Sequence, residues 1–118
     1  IKKGKSGTRN LINFFKENFS VALMIDQRVS EGESVEFFNR LAKTTTIPAQ
    51  LVKKYNCRVV PIYIERKNKH NFKISIQDPL QFNDEYSIKE ISEKLNKVLE
   101  KMILKNPEQW IWSHDRWK

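Results

Sequence analysis

Three short polar segments hold the side chains best suited to binding a ligand. Asp26 and Gln27 follow an apolar run at residues 21–25, and Glu65 and Arg66 follow a second run at residues 59–64. The three threonines Thr44, Thr45 and Thr46 precede a predicted helix, whose free N–H groups and positive dipole end favour an anion. In a parallel sheet, the carboxyl ends of strands and the helix starts beside them form one crevice. The sequence therefore predicts an anion-binding crevice, although an Asp in a turn or a Thr at a helix cap gives the same pattern.

The sequence lacks the residues that several other kinds of functional site require. The single Cys57 and two distant histidines, His70 and His114, make no zinc site, and Cys57 beside an apolar run predicts a buried, reduced thiol. No glycine-rich phosphate loop, dinucleotide fingerprint or serine nucleophile elbow occurs. His114 lies between Trp110 and Trp117 at helical spacing, which is typical of packing. We therefore expect no metal and no cofactor.

The first half of the chain should contain a helix, a strand and a second helix. Leu11, Phe14 and Phe15 recur at helical spacing over residues 8–17. Residues 20–25 have the length and composition of a strand covered on both faces. Residues 28–45 show no clear periodicity, which predicts a long functional loop. A helix should begin near Thr46 and end at Asn56.

The second half should contain two strands and two helices. Residues 59–64 predict a buried strand that Pro61 interrupts with a bulge or a free edge. The alternation through residues 72–76 predicts a half-exposed strand that returns antiparallel through a turn at residues 67–71. Ser87 and Glu90 predict a capping box at the start of a long amphipathic helix. Asn106 should cap a last helix that carries the three tryptophans.

This order of elements predicts an α/β fold. A strand, a helix and a strand joined by a right-handed crossover place the first two strands parallel. We therefore expect a mixed, mostly parallel sheet flanked by helices. Two or three strands make a thin core, so residues 1–118 are predicted to be one part of a larger single domain.

Composition and charge point to an anionic partner. The 118 residues are 39% hydrophobic, enough for a folded core, and no apolar run reaches the roughly 18 residues of a membrane span. The formal net charge is +8 and the pI is about 9.7. Residues 53–73 hold seven cations and one acid, Glu65. Such a surface suits nucleic acid, phospholipid headgroups or an acidic protein.

Several blocks, in order, resemble the bacterial lipid A acyltransferases, within the superfamily of glycerolipid acyltransferases. The closing block is the most specific, and Asn39 stands where the family usually has a glycine. The matching blocks are residues 3–9 (KGKSGTR), 26–28 (DQR), 30–32 (SEG), 35–38 (VEFF), 43–49 (KTTTIPA), 59–66 (VVPIYIER) and 106–118 (NPEQWIWSHDRWK).

The resemblance implies transfer of a fatty acyl chain from acyl carrier protein to a hydroxyl of a phosphorylated, Kdo-bearing lipid A precursor, a step of lipopolysaccharide biosynthesis. It also implies a catalytic His-x4-Asp/Glu pair, in which the histidine takes the hydroxyl's proton. Ser75 lies five residues after His70, and the fifth position after His114 lies beyond residue 118. No catalytic residue is therefore assigned within the chain, which should be inactive alone, the pair lying before residue 1.

The resemblance implies that the chain contributes substrate-binding residues to the active site, without the catalytic pair. Arg9 and Arg66 are candidate phosphate-binding residues, and Asp26 with Gln27 would shape the acceptor crevice. The remaining substrate-binding candidates are the helix-start residues Thr44, Thr45 and Thr46 and the acyl-chain residues Phe37 and Phe38.

The expected partners are an acyl-acyl carrier protein donor, a phosphorylated glycolipid acceptor and an anionic membrane surface at the cytoplasmic face of the inner membrane of a Gram-negative bacterium. No nucleic acid is expected as a partner. Three alternatives remain open: a glycerol-phosphate or lysophospholipid acyltransferase, a basic nucleic-acid-binding module, and a non-catalytic membrane-docking domain. A nucleic-acid module needs aromatic side chains interleaved with cations on one strand face, whereas Phe72, Ile74 and Ile76 are predicted to be packing residues.

Overall fold

The computed structural model describes residues 5–118, without the side chains of Lys5, Ser6 and Thr8, so the basic block at residues 3–9 lies partly outside the described residues. This part of the chain is a mixed α/β domain with two antiparallel two-stranded sheets. The elements are α1 (Lys5–Lys16), β1 (Glu33–Phe37), β2 (Arg40–Thr44), α2 (Ile47–Tyr55), β3 (Ile62–Arg66), β4 (Phe72–Ile76), α3 (Ile88–Ile103) and a 3-10 turn (Pro107–Gln109). Within residues 5–118, no helix is both long enough and apolar enough to cross a bilayer.

The predicted first helix is confirmed as α1. Leu11 is buried, and Phe15 packs on Tyr55 of α2 with ring centroids 5.0 Å apart. Asn18 follows the helix with φ of 64°, a left-handed conformation that asparagine tolerates better than most residues. The N-terminal helix is therefore joined to α2 by aromatic packing.

Residues 28–45 contain a β-hairpin, so the prediction of a long unstructured loop was wrong. β1 and β2 pair in register from Glu33 opposite Thr44 to Phe37 opposite Arg40. Phe38 and Asn39 form the two-residue turn, both with positive φ, as in the turn type that matches strand twist. The buried face holds Val35, Phe37, Ala42 and Thr44. Its period of two escaped detection because alanine and threonine are weak apolar signals and Leu41 points outward.

The second predicted helix is confirmed as α2. Pro48 lies in its first turn, and Asn56 ends it with φ of 48° while its N–H donates to the Val52 carbonyl at 2.8 Å. Ala49 and Val52 are buried against Ile91 and Leu95 of α3. Cys57, predicted to be buried, is only half-buried beside this core, where burial raises the pKa of its thiol.

The β3–β4 hairpin confirms the antiparallel return but not the predicted burial. β3 starts at Ile62, after Pro61, and residue 59 makes only an isolated bridge to Leu80. The apolar face is exposed: Ile62, Ile64, Phe72, Ile74 and Ile76 keep between 52% and 73% of their surface accessible. The predictions of a buried strand at residues 59–64 and of packing roles for residues 72, 74 and 76 are therefore wrong for the described structure. Alternation identifies a strand, but it does not identify what covers its face.

The apolar run at residues 20–25 is not a strand, which corrects a central prediction. It has no regular secondary structure, and Met24 is 84% exposed. A strand needs a neighbour for its backbone N–H and C=O groups, and β1 to β4 already pair among themselves. The predicted parallel pairing of the two apolar runs is accordingly wrong for residues 5–118, where both sheets are antiparallel.

Helix α3 organises the domain, and its capping box is confirmed. The Ser87 hydroxyl accepts from Glu90 N at 3.2 Å, and the Glu90 carboxylate accepts from Ser87 N at 2.8 Å. One part of α3 packs on α2. Another part bonds the first hairpin. Asn96 Nδ2 donates to the Glu36 carbonyl, and Phe38 N donates to Glu100 Oε1, each at 2.8 Å. The hairpin and α2 are thus both fixed to α3.

The closing segment, residues 106–118, does not form the helix that was predicted to run through residue 117. Helical structure stops after Pro107–Gln109, and residues 111–117 form turns. Trp112 Nε1 donates to the Pro107 carbonyl at 2.7 Å, which folds the segment back on itself. Along this non-helical course, Arg116 and Trp117 both form hydrogen bonds with the first hairpin, which helical periodicity alone does not predict.

Candidate functional site

An aromatic cluster joins the closing segment to the first hairpin. Phe37 has no exposed surface, and its ring centroid lies 4.8 Å from Phe38, 5.8 Å from Trp110 and 5.6 Å from Trp117. The indole Nε1 of Trp117 donates to the Phe37 carbonyl at 3.0 Å. On the other side of Trp117, the Arg40 guanidinium lies 5.2 Å from the ring centroid. Phe37 is therefore the centre of a packed aromatic cluster at the tip of the hairpin.

Arg116 enters the interior beside this cluster. It is 1% exposed, and its guanidinium carbon lies 5.4 Å above the Phe37 ring. One Nη donates to the Lys43 carbonyl and the other donates to Thr44 Oγ1 at 3.0 Å. The closing segment thereby holds the end of β2 through a buried cation.

The aromatic cluster and the hydrogen bonds of Arg116 form a junction between the closing segment and the end of β2. Thr44 is the polar centre of this junction. Its hydroxyl donates to the Ala42 carbonyl at 3.2 Å and accepts from Asn96 Nδ2 at 3.2 Å as well as from Arg116. Two buried atoms next to it, Asn96 Oδ1 and Arg116 Nε, have no hydrogen-bond partner among residues 5–118. Predicted as a ligand-binding residue, Thr44 is instead 2% exposed and engaged in internal bonds.

The loop of residues 26–32 lies against the same strand end. Val29 N donates to the Lys43 carbonyl at 3.5 Å, so Val29 and Arg116 share one acceptor. A Cβ on Gly32 would lie 2.5 Å from the Thr44 carbonyl oxygen, a distance that only glycine permits. Burial lowers the pKa of Arg116, and the negative charge of Asp26 opposes that shift. Asp26 is half-buried and Gln27 is exposed, so both side chains can reach a ligand from this loop.

Thr45 and Thr46 lead from the junction into α2. Thr45 Oγ1 accepts from Ile47 N at 3.4 Å. Thr46 occupies the N-cap position, yet its side chain makes no capping bond and instead accepts from Gln50 Nε2 at 2.8 Å. Both threonines are half-buried. The structure therefore brings Asp26, Gln27 and the three threonines to one region, although the predicted parallel strands do not bring them there.

Glu65 and Arg66 belong to a separate contact. The backbone N and O of Arg66 bond the Gln109 side-chain amide at 2.8 and 3.0 Å, and Asn106 Nδ2 donates to Glu65 Oε2 at 2.8 Å. The bond from Lys67 is the main cause that lowers the pKa of Glu65. These described partners belong to the closing segment and to the hairpin itself, not to the Asp26 loop or to the start of α2.

An open groove of about 680 Å³ lies beside Arg66, and its lining includes both apolar and basic side chains. The guanidinium of Arg66 stacks over Phe72, 5.0 Å from the ring centroid. Arg66 therefore lies on the exposed apolar face, with its guanidinium over the Phe72 ring. The groove is lined by Ile64, Arg66, Lys67, Asn68, Lys69, Phe72 and Gln109.

The remaining predicted site residues lie at the periphery. Arg9 is exposed on α1, and Phe38 is half-buried with its ring 5.9 Å from that of Trp112. His70 and His114 are exposed in turns. Within residues 5–118, no three His, Cys, Asp or Glu side chains group closely enough to hold a metal ion.

Sequence reasoning missed Arg116 and Asn96, the two buried polar residues that hold the junction together. Asn96 gave no signal, because asparagine on a long helix is usually solvent-facing. Arg116 gave one: it is the cation inside the closing aromatic block, between His114 and Trp117.

The fold and the junction define a small mixed α/β domain in which a loop, a strand end and a helix start are held together by the closing segment. The sequence model of the bacterial lipid A biosynthesis acyltransferases matches residues 2–118, and the chain belongs to that family. The resemblance of the separate blocks is thereby confirmed. The sequence matches no curated protein.

Proposed function

We propose that the chain serves in the transfer of a fatty acyl chain from acyl carrier protein to a hydroxyl of a phosphorylated lipid A precursor. The observation that carries the proposal is family membership over residues 2–118. The reaction would take place at the cytoplasmic face of the inner membrane of a Gram-negative bacterium. The net charge of +8 supports two anionic partners, the acidic carrier protein and the lipid headgroups.

The chemistry needs a general base. The acceptor hydroxyl loses its proton to a histidine as its oxygen attacks the thioester carbon, and the carrier's thiolate leaves as the new ester forms. Neither His70 nor His114 has a carboxylate at the required spacing within the chain. We therefore propose that residues 1–118 form the C-terminal part of one acyltransferase domain, that the His-x4-Asp/Glu pair belongs to a preceding part, and that the chain alone is inactive.

Two exposed apolar surfaces support this larger domain. The β3–β4 face exposes four isoleucines and a phenylalanine side by side, and the run that precedes Asp26 exposes Met24 almost fully. Contiguous apolar patches of this kind mark surfaces that another structure covers. In a three-layer domain with a mostly parallel sheet, further strands and helices would cover both.

The junction supplies a wall for the acceptor. In this proposal Asp26 and Gln27 bond acceptor hydroxyls, and the α2 start with Thr45 and Thr46 attracts a phosphate. Thr44 contributes by holding this start in place. Arg9 and Arg66 would bind phosphate groups from the periphery.

The two phenylalanines take different roles. Half-buried Phe38 is better placed to border the acyl chain, while fully buried Phe37 supports it from the cluster beneath.

Acyl transfer from a labelled acyl carrier protein tests the proposal. The complete polypeptide should acylate a Kdo-bearing, phosphorylated glucosamine disaccharide lipid, and the 118-residue chain should not. Glycerol 3-phosphate and a lysophospholipid are the competing acceptors, and preference for either would assign the chain to another branch of the superfamily. Asp26→Asn should lower transfer at least about tenfold, whereas Asp78→Asn, at an exposed position in the loop after β4, should not. Full activity of the Asp26→Asn variant would remove Asp26 from the site.

A further inference from the structure

Arg116 is a buried cation that forms no salt bridge with a carboxylate among the described residues. None of the ion pairs in the described part of the chain includes it, and its Nε has no hydrogen-bond partner. A buried charge is costly unless it is paired or fully hydrogen-bonded. An arginine in this environment is therefore a poor choice for stability alone, and a role in holding other groups explains it better.

Both hydrogen bonds of the Arg116 guanidinium in the described structure are made with the end of β2. Its two terminal nitrogens reach the Lys43 carbonyl and the Thr44 hydroxyl, so the planar guanidinium fixes both the position and the rotation of the end of β2. The Lys43 carbonyl also accepts from Val29 N, in the loop that carries Asp26. Along the chain, Thr44 is followed directly by Thr45, Thr46 and α2.

We propose that Arg116 is a positioning residue that holds the Asp26 loop and the start of α2 at the separation required for acceptor binding. The inference rests on the proposed function and names the residue that builds its acceptor wall. Arg116 does not touch the acceptor, because it is buried beneath the wall. It acts through the Lys43 carbonyl and through Thr44.

Electrostatic attraction supports the same arrangement. Asp26 lies near enough for its charge to stabilise the protonated guanidinium against burial. In the low dielectric of a protein interior such an attraction is stronger than in water. This attraction draws the loop that carries Asp26 towards the end of β2.

A kinetic double-mutant cycle in the complete acyltransferase tests the proposal. Arg116→Lys keeps the charge but cannot reach two acceptors from one plane, so the KM for the acceptor should rise about tenfold with little change in the KM for the acyl carrier protein. Asp26→Asn should raise the same KM to a similar extent. Because the two residues act through one arrangement, the double variant should be no worse than the more impaired single variant.

The control is Arg40→Lys, which changes an arginine that stacks on Trp117 from the solvent side of the same hairpin. It should leave both KM values within about twofold of the wild type. An unchanged acceptor KM in folded Arg116→Lys, or strictly multiplicative effects in the double variant, would overturn the proposal.

A second pair of variants covers the case in which Arg116→Lys fails to fold. Thr44→Ser keeps the hydroxyl that Arg116 bonds and should keep the acceptor KM, whereas Thr44→Val removes the hydroxyl and should raise it. Equal KM values for the two would count against the proposal.

Hydrogen exchange in the 118-residue chain separates this inference from the proposed function. If no acyl transfer occurs, the proposed function fails, but Arg116→Lys should still speed amide exchange in residues 26–32 and 43–46. Unchanged exchange in both segments would refute the positioning role by itself.

Discussion

Thr44 and Arg116 lie 72 positions apart in the sequence and are joined by a 3.0 Å hydrogen bond in the interior. This bond connects the last turn of the described chain to the strand end that leads into α2. It also brings together three blocks that are separate in the sequence: the loop around Asp26, the threonine run and the closing aromatic segment. The junction of these blocks is the main structural feature of the chain.

Loss of the Thr44 hydroxyl should destabilise the domain strongly. Thr44→Val leaves donors on Asn96 and Arg116 without an acceptor, and each unpaired buried donor costs about 1–3 kcal/mol. We expect a loss of about 2–4 kcal/mol in the free energy of unfolding for Val but only about 1 kcal/mol for Thr44→Ser. Urea denaturation measures both. Equal losses for the two variants would show that the bonds of the hydroxyl contribute no more than the packing of the methyl group, which would contradict the role of Thr44 as a buried acceptor.

The aromatic cluster should depend on Phe37 far more than on its exposed neighbours. Phe37→Ala removes a fully buried ring in contact with three other aromatic rings and should cost about 3–5 kcal/mol. The matched change Leu41→Ala, at a position of the same hairpin that is 69% exposed, should stay within about 0.5 kcal/mol of the wild type. Thermal or urea unfolding with Trp fluorescence distinguishes them. A small loss for Phe37→Ala would mean that the cluster is loosely packed.

The contrast between the two hairpins shows what sequence patterns can predict. The turn at residues 67–71 and the β4 alternation were predictable because Ile, Phe and Lys alternate clearly. The first hairpin was missed because Ala42 and Thr44 are small and Leu41 faces solvent. The alternation also identified the apolar face of β4. It could not show that this face is exposed, because burial depends on what packs against it.

The turn between β1 and β2 should be improved by glycine. Asn39 has φ of 58° at the position where the related family usually has glycine, and glycine adopts this conformation without a Cβ penalty. Asn39→Gly should stabilise the domain by about 0.5 kcal/mol, because glycine is the preferred residue at this position of such a turn. The same change at Asn13, within α1, should instead destabilise it by roughly 0.3 kcal/mol, because glycine is a poorer helix former than asparagine. Differential scanning calorimetry compares the two variants, and a destabilised Asn39→Gly would contradict the observed turn.

The capping box of α3 should contribute to acid sensitivity. The backbone N–H of Ser87 is the largest cause that lowers the pKa of Glu90, followed by the Ser87 hydroxyl. Because the pKa in the folded state lies below that of the unfolded chain, the ionised carboxylate stabilises the fold above the unfolded pKa. That contribution is lost as pH falls through the lowered pKa.

The variant Glu90→Gln keeps an acceptor oxygen but removes the titration. Its Tm should lie below that of the wild type at pH 7, and the difference should shrink as pH falls below about 4. Glu93→Gln changes the same helix outside the box and serves as the control. A Tm difference for Glu90→Gln that is independent of pH would contradict the role of the charge.

The proximity of several candidate site residues was predictable from the sequence, but the contacts that bring them together were not. Asp26, Gln27 and the threonines do lie together, yet the predicted reason, two parallel strands ending at one edge, does not hold for the described residues. The actual connection passes through Arg116, whose partners are 72 and 73 positions away. Neither local propensity nor periodicity contains information on such contacts. A conspicuous cation among tryptophans was the only sequence signal.

An NMR measurement on the Arg116 guanidinium tests whether the closing segment holds the junction together. Burial and bonding to Thr44 and the Lys43 carbonyl predict slowly exchanging Nη protons that resolve individually. These protons should show nuclear Overhauser effects to the Thr44 methyl group and to the Phe37 ring. Rapidly exchanging, averaged guanidinium signals without these contacts would mean that Arg116 is solvated and that the closing segment does not hold the junction.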